Sequence, residues 1–199
     1  MRLPGYGQFM RRLSRLAVTQ FRRFGADRRL TRQLRKLLAS SDRVFAASTG
    51  PVFAHDDLHP LNILAGRGEA GQLRLTGLVD FGNARAADPV FDLAKTMLMC
   101  DLELPGAGAA IRTGYGTIEH PEPDEAVRAY MLIHAMLLWG WYRAIGTIAE
   151  GQPHEVMTTV LKMAAEMRVK RTRRRKKPKT GWALWRARLR KLAFWRRAG

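Results

Sequence analysis

The chain has 199 residues, 46% of them hydrophobic, with 35 Lys/Arg against 17 Asp/Glu and a net charge of +18. This suits one domain with a genuine core. The single cysteine, Cys100, excludes an intrachain disulfide and fits a reducing compartment, while no apolar run reaches the roughly 18 residues of a membrane span and no secretory signal peptide is visible.

The charge is unevenly spread. Residues 1–44 hold twelve Lys/Arg and two acids, residues 45–167 hold eight and fifteen, and residues 168–199 hold fifteen and none. An acidic centre is where metal-assisted chemistry would sit, and basic ends are where anionic surfaces would bind. Three segments are therefore expected: a basic helical segment over 1–44, a central domain over 45–167 and a basic tail over 168–199.

In chain order, Phe9 to Phe24 reads as an amphipathic helix. Phe9, Met10, Leu13, Leu16, Ala17, Phe21 and Phe24 share one face, and five arginines share the other. A second helix is predicted over Arg29–Ala39. "GPVFAH" reads as a short strand leading into the polar cluster "HDDLHPLNIL", His55 to Leu64. "NILAGRGEAGQLRLTGLVDFG" reads as strand, turn, strand. Its "GRGEAG" formally matches G-x-G-x-x-G, but a strand rather than a helix follows it, so a plain hairpin turn is expected. From Pro89 the chain reads as helical, with Asp88 as N-cap and Pro in the first turn. A long helix follows the acidic "PEPDEA", and "MLIHAMLLWGWY", Met131 to Tyr142, reads as its buried stretch. Another helix starts near Glu155. The tail opens with the like-charged "RVKRTRRRKKPKTG", which cannot bury itself, and continues into an imperfectly amphipathic, Trp-bearing segment.

Phosphoryl transfer needs a carboxylate to orient the attacking hydroxyl and hard oxygen ligands to hold Mg²⁺ against the phosphates. The centre supplies both in order: Asp57, Asn62 five residues on, and Asp80 in "LVDFG" after the hairpin. A zinc reading of His55, Asp57 and His59 would need more ligands from His120, His134 or His154, and none stands at a recognised zinc spacing. A purely structural polar turn is the third alternative.

"HDDLHPLNIL" together with "GLVDFGNARAADPVFDLAK" resembles the aminoglycoside phosphotransferase and choline-kinase-like family, over residues 55 to 94. That resemblance implies an α+β, mostly α fold: a protein-kinase-like C-lobe with a small β-hairpin carrying the active-site residues. It implies Asp57 as catalytic base, Asn62 and Asp80 as Mg²⁺ ligands, His55 bracing the loop and Asp92 anchoring its backbone from the following helix. Mg²⁺ and ATP, or another nucleoside triphosphate, are the implied cofactors. The implied partner is a small-molecule acceptor: an aminoglycoside-like compound, a sugar or a lipid-linked sugar.

Two departures stand out. Asp56 replaces the family's glycine. Before Asp57 there is no nucleotide-covering glycine hairpin, and the single lysine there, Lys36, sits in an Arg-rich helical segment, so the resemblance covers the C-terminal lobe only. Two readings stay open: an ATP- and Mg²⁺-dependent phosphotransferase, truncated and inactive alone or not, and a non-catalytic pseudokinase-like module on an anionic membrane or a partner. The basic ends favour peripheral contact with an anionic membrane over specific nucleic-acid binding, for which no recognition fold is present. A cytoplasmic, membrane-peripheral location is expected.

Overall fold

A computed structural model describes residues 5–149, 152 and 154–175; the Trp-bearing tail segment lies outside them. The chain divides into two compact units, Met1–Ala165 and Glu166–Gly199. Three helices open the first unit: α1 (Tyr6–Arg23), α2 (Arg28–Ala39) and α3 (Asp42–Ala46). Then come β1 (Val52–Ala54), β2 (Ile63–Arg67), β3 (Leu73–Leu78) and β4 (Arg85–Ala87). Helices α4 (Pro89–Glu103), α5 (Ala107–Tyr115), α6 (Pro123–Ala144) and α7 (Glu155–Arg175) complete the order. The first part of α7 belongs to the first unit, and its last residues are the described part of the second. The fold is α+β and mostly α.

The helix starts follow local chemistry. Asp27 caps α2 by accepting from Leu30 N at 2.8 Å, and its pKa is lowered chiefly by that bond. Asp88 caps α4 by accepting from Val90 N at 2.7 Å, with Pro89 in the first turn. The core forms where α4 and α1 pack on α6. Phe21 meets Trp139 at 4.9 Å between ring centroids, and Phe91 meets Tyr130 edge-on at 5.8 Å.

The buried face of α1 differs from the sequence expectation. Met10, Ala17 and Phe21 are buried as expected, but Leu16 is exposed, and Ser14 and Val18 are buried instead. α1 packs on α6, α2 and α3. The partners beyond α6 widen the covered stripe and turn it away from Leu16.

Two antiparallel strand pairs carry the polar segments. β2 and β3 form the hairpin, with Ile63 opposite Leu78 and a bulge between Leu64 and Ala65. The glycine-bearing segment is its turn, closed by Gly68 N donating to Gln72 O at 2.8 Å. β1 pairs with β4, Ala54 lying opposite Arg85. This second pairing joins segments 30 residues apart and was not visible in the alternation pattern.

Candidate active site

β1 ends at Ala54 and delivers His55, Asp56 and Asp57 directly to the start of α4. Asp92, in the first turn of α4, accepts from His55 N at 2.8 Å and from Asp56 N at 2.9 Å, one bond to each carboxylate oxygen. Lys95, one turn further, donates to the carbonyl of Asp56. One helix face therefore holds the loop backbone by its donors and its acceptor at once. The His55 ring lies 4.5 Å from that of Phe81, and its Nε2 is 2.9 Å from Val79 O, tying the loop to the segment after β3.

Asp56 has a φ of 53°, in the left-handed region that suits glycine. Its carboxylate is buried between two cations, Arg85 Nε at 2.7 Å and Lys95 Nζ at 3.4 Å. The β1–β4 register explains Arg85, since Ala54 and Arg85 are paired. Burial pushes the Asp56 carboxyl up, outweighing the downward pull of Lys95 and Arg85.

Asp57 is half-buried, and three groups fix it. Asn83 Nδ2 donates to its Oδ2 at 3.0 Å, Lys95 Nζ lies 3.3 Å from its Oδ1, and Asn62 Nδ2 donates to its backbone oxygen at 2.9 Å. Asn62 is buried and has used its amide nitrogen, which leaves its amide oxygen as an acceptor. The hairpin returns the chain beside it, with Val79 N donating to Asn62 O at 3.1 Å. Asp80 follows in the left-handed region, φ 62° and ψ 64°, and its carboxylate bonds to no other described residue. A Cβ at Gly82 would stand 3.3 Å from Asp80 Oδ1, so glycine keeps that space open.

The structure thus brings His55, Asp57, Asn62, Asp80 and Asp92 into one neighbourhood. Asn83, Arg85 and Lys95 also belong there and were missed from sequence. A signal existed for Lys95: it is one of two lysines between residues 45 and 167, and it stands three positions after Asp92 on one helix.

Asp57 opens onto a cavity of about 540 Å³. Its polar end holds Asp57, Asn83 and Lys95. Leu13, Met99, Leu138 and Trp141 form an apolar wall, with Glu103 among the lining residues. Asn62 and Asp80 are not part of this lining.

Among the described residues no three His, Cys, Asp or Glu side chains group so as to hold an ion by themselves. An amide oxygen and an unpartnered carboxylate are hard ligands, and such a pair suits Mg²⁺, which keeps most of its shell as water and phosphate oxygens. The residues present fit that ion.

A strand-led polar loop, a hairpin that returns an aspartate beside it and a helix that clamps its backbone make this a lobe of the protein-kinase-like type. The chain belongs to the phosphotransferase enzyme family, whose model matches residues 2–129. No curated protein matches the chain. Among solved structures, an ethanolamine kinase from Plasmodium vivax superposes with a TM-score of 0.45 at 12% identity, over 83% of this chain and 50% of that one. The chain thus spans half the length of that structure.

Proposed function

We propose that the chain carries the catalytic half of an ATP- and Mg²⁺-dependent phosphotransferase acting on a hydroxyl of a small molecule. The observation that carries this reading is the placement of Asp57. Its carboxylate opens on the 540 Å³ cavity, while its backbone is bonded to Asn62, beside Asp80. In this reading an acceptor hydroxyl enters from the cavity and donates its hydrogen bond to Asp57, which accepts the proton as transfer proceeds. Asn62 and Asp80 would hold Mg²⁺, which when bound offsets the charge of the nucleotide phosphates. Asn83 and Lys95 orient the carboxylate. His55 and Asp92 keep the loop in register and touch no reacting atom. The apolar wall favours an acceptor that joins a hydroxyl-bearing head to an apolar part, as a lipid-linked sugar does.

Calorimetry of ATP with Mg²⁺ tests this on the chain and on Asp80→Ala. The reading expects Mg²⁺-dependent binding that the variant loses. Absence of binding by the parent chain, or equal binding by the variant, overturns it.

A second reading is a non-catalytic module. It is favoured by apolar side chains left in solvent: Phe53 on β1 is 71% exposed, Leu61 77% and Leu73 on β3 75%. Flotation with anionic vesicles that requires residues 168–199 but survives Asp57→Asn supports it.

A further inference from the structure

We propose that the seam between α1 and α2 is a binding site for a phosphate group, carried by a small molecule or by a lipid headgroup. Arg11, Ser14, Arg15 and Val18 form one row on α1 at i, i+3, i+4 and i+7. Arg35, Leu38, Ala39 and Asp42 repeat that spacing along α2 and into α3. The two rows line a groove of about 170 Å³.

Three guanidinium groups share this groove, and none of them hydrogen-bonds or ion-pairs with a described residue. Asp42 is the sole acid in the lining, so two positive charges stay uncompensated. Like charges around one recess repel, and an anion between them relieves that repulsion. Guanidinium forks match phosphate oxygens two at a time.

A second observation points the same way. Ser14 is only 8% exposed, and its hydroxyl has no hydrogen-bond partner. A buried hydroxyl left unpaired costs free energy, and native structures rarely leave one so. Ser14 lines the groove, and a ligand oxygen seated deep enough to reach the hydroxyl would satisfy it. Val18 and Leu38 add an apolar floor, which suits an ester of phosphate. The groove contains none of Asp57, Asn62 and Asp80, so the inference stands apart from the phosphotransfer reading.

The test is calorimetry of the full chain with inorganic phosphate, because residues 168–199 add a cationic background that only charge-matched variants can separate. Arg15→Gln/Arg35→Gln removes two groove arginines. Arg12→Gln/Arg32→Gln removes two exposed arginines from the same helices outside the groove. The groove pair is expected to weaken phosphate binding about tenfold or more, the outside pair by less than about twofold, at unchanged melting temperature. Ser14→Ala, which leaves every charge in place, is expected to weaken binding several-fold. Flotation with phosphatidylcholine vesicles, with and without phosphatidic acid, separates the sources. Flotation that needs Arg15 and Arg35 assigns a lipid headgroup, and flotation indifferent to them beside groove-dependent phosphate binding assigns a soluble ester. Equal weakening by both pairs, or no phosphate binding by the parent chain, overturns the site.

Discussion

Asp56 combines two costs at one position: a left-handed backbone and a buried carboxylate. Arg85 and Lys95 offset the charge, but burial still pushes the carboxyl up. A carboxyl raised in the fold favours the folded state below its ordinary value of 3.8 and loses that advantage as pH rises past it. At neutral pH the buried pair is therefore a weak source of stability. Asp56→Gly removes both costs along with both ion pairs, and is expected to leave the unfolding free energy within about 1 kcal/mol of the parent. Asp56→Ala removes the ion pairs but keeps a side chain at positive φ, and should fall about 1–2 kcal/mol below the glycine variant. Urea unfolding of the three proteins at pH 7 checks the order, and an alanine variant as stable as the glycine one refutes it.

Helix α4 is the element on which the site is built. Its capping by Asp88 fixes where the first turn begins, so Asp92 and Lys95 reach the loop from successive turns. Asp92 accepts two backbone N–H groups with a full charge, and its Thr96 neighbour closes the turn by bonding to its carbonyl at 3.0 Å. Asp92→Asn keeps the shape but loses the charge and turns a donor toward a donor. The expected loss is about 2–3 kcal/mol of stability, read from a shift in the denaturant midpoint at constant slope. The β2–β3 hairpin, by contrast, packs little of its surface: Leu64, Leu73 and Leu75 are all exposed. Its contribution is to return Asp80 beside Asn62 rather than to add core.

At the scale of the first compact unit, α6 is the hub that α1 and α4 share, and His134 lies midway along it. His134 is buried against the inner end of the cavity, with Nε2 3.0 Å from Phe91 O and its ring 4.3 Å from that of Phe91. Burial, helped by the nearby Lys95 and Arg85 charges, pushes its pKa down to about 3. The unfolded chain binds that proton near 6.5, so the folded state loses stability as pH falls below that value. Between pH 6.5 and 5 the share from this residue is about 2 kcal/mol. His134→Gln, which cannot titrate, should show a shallower fall in melting temperature over that interval, and an unchanged slope would remove His134 as the cause. No helix among the described residues is long and apolar enough to cross a membrane, and the apolar stretch from Met131 to Tyr142 lies within α6 instead.

The sequence by itself determined what depends on neighbours in the chain. The helix start at Asp88, the hairpin around the glycine run and the order Asp57, Asn62, Asp80 all rest on local propensity and short spacing. Tertiary structure decided what depends on contacts between distant segments. β4 is three residues long and forms only because β1 pairs with it, and that pairing is what places Arg85 on Asp56. Lys95 stands out by its spacing from Asp92, but its contacts with Asp56 and Asp57 exist only once the loop folds onto α4. Leu16 and Ser14 exchange burial because α1 packs against α2, α3 and α6 at once, a fact no single-helix periodicity contains. Periodicity records one apolar direction per helix, whereas a site is the meeting of several.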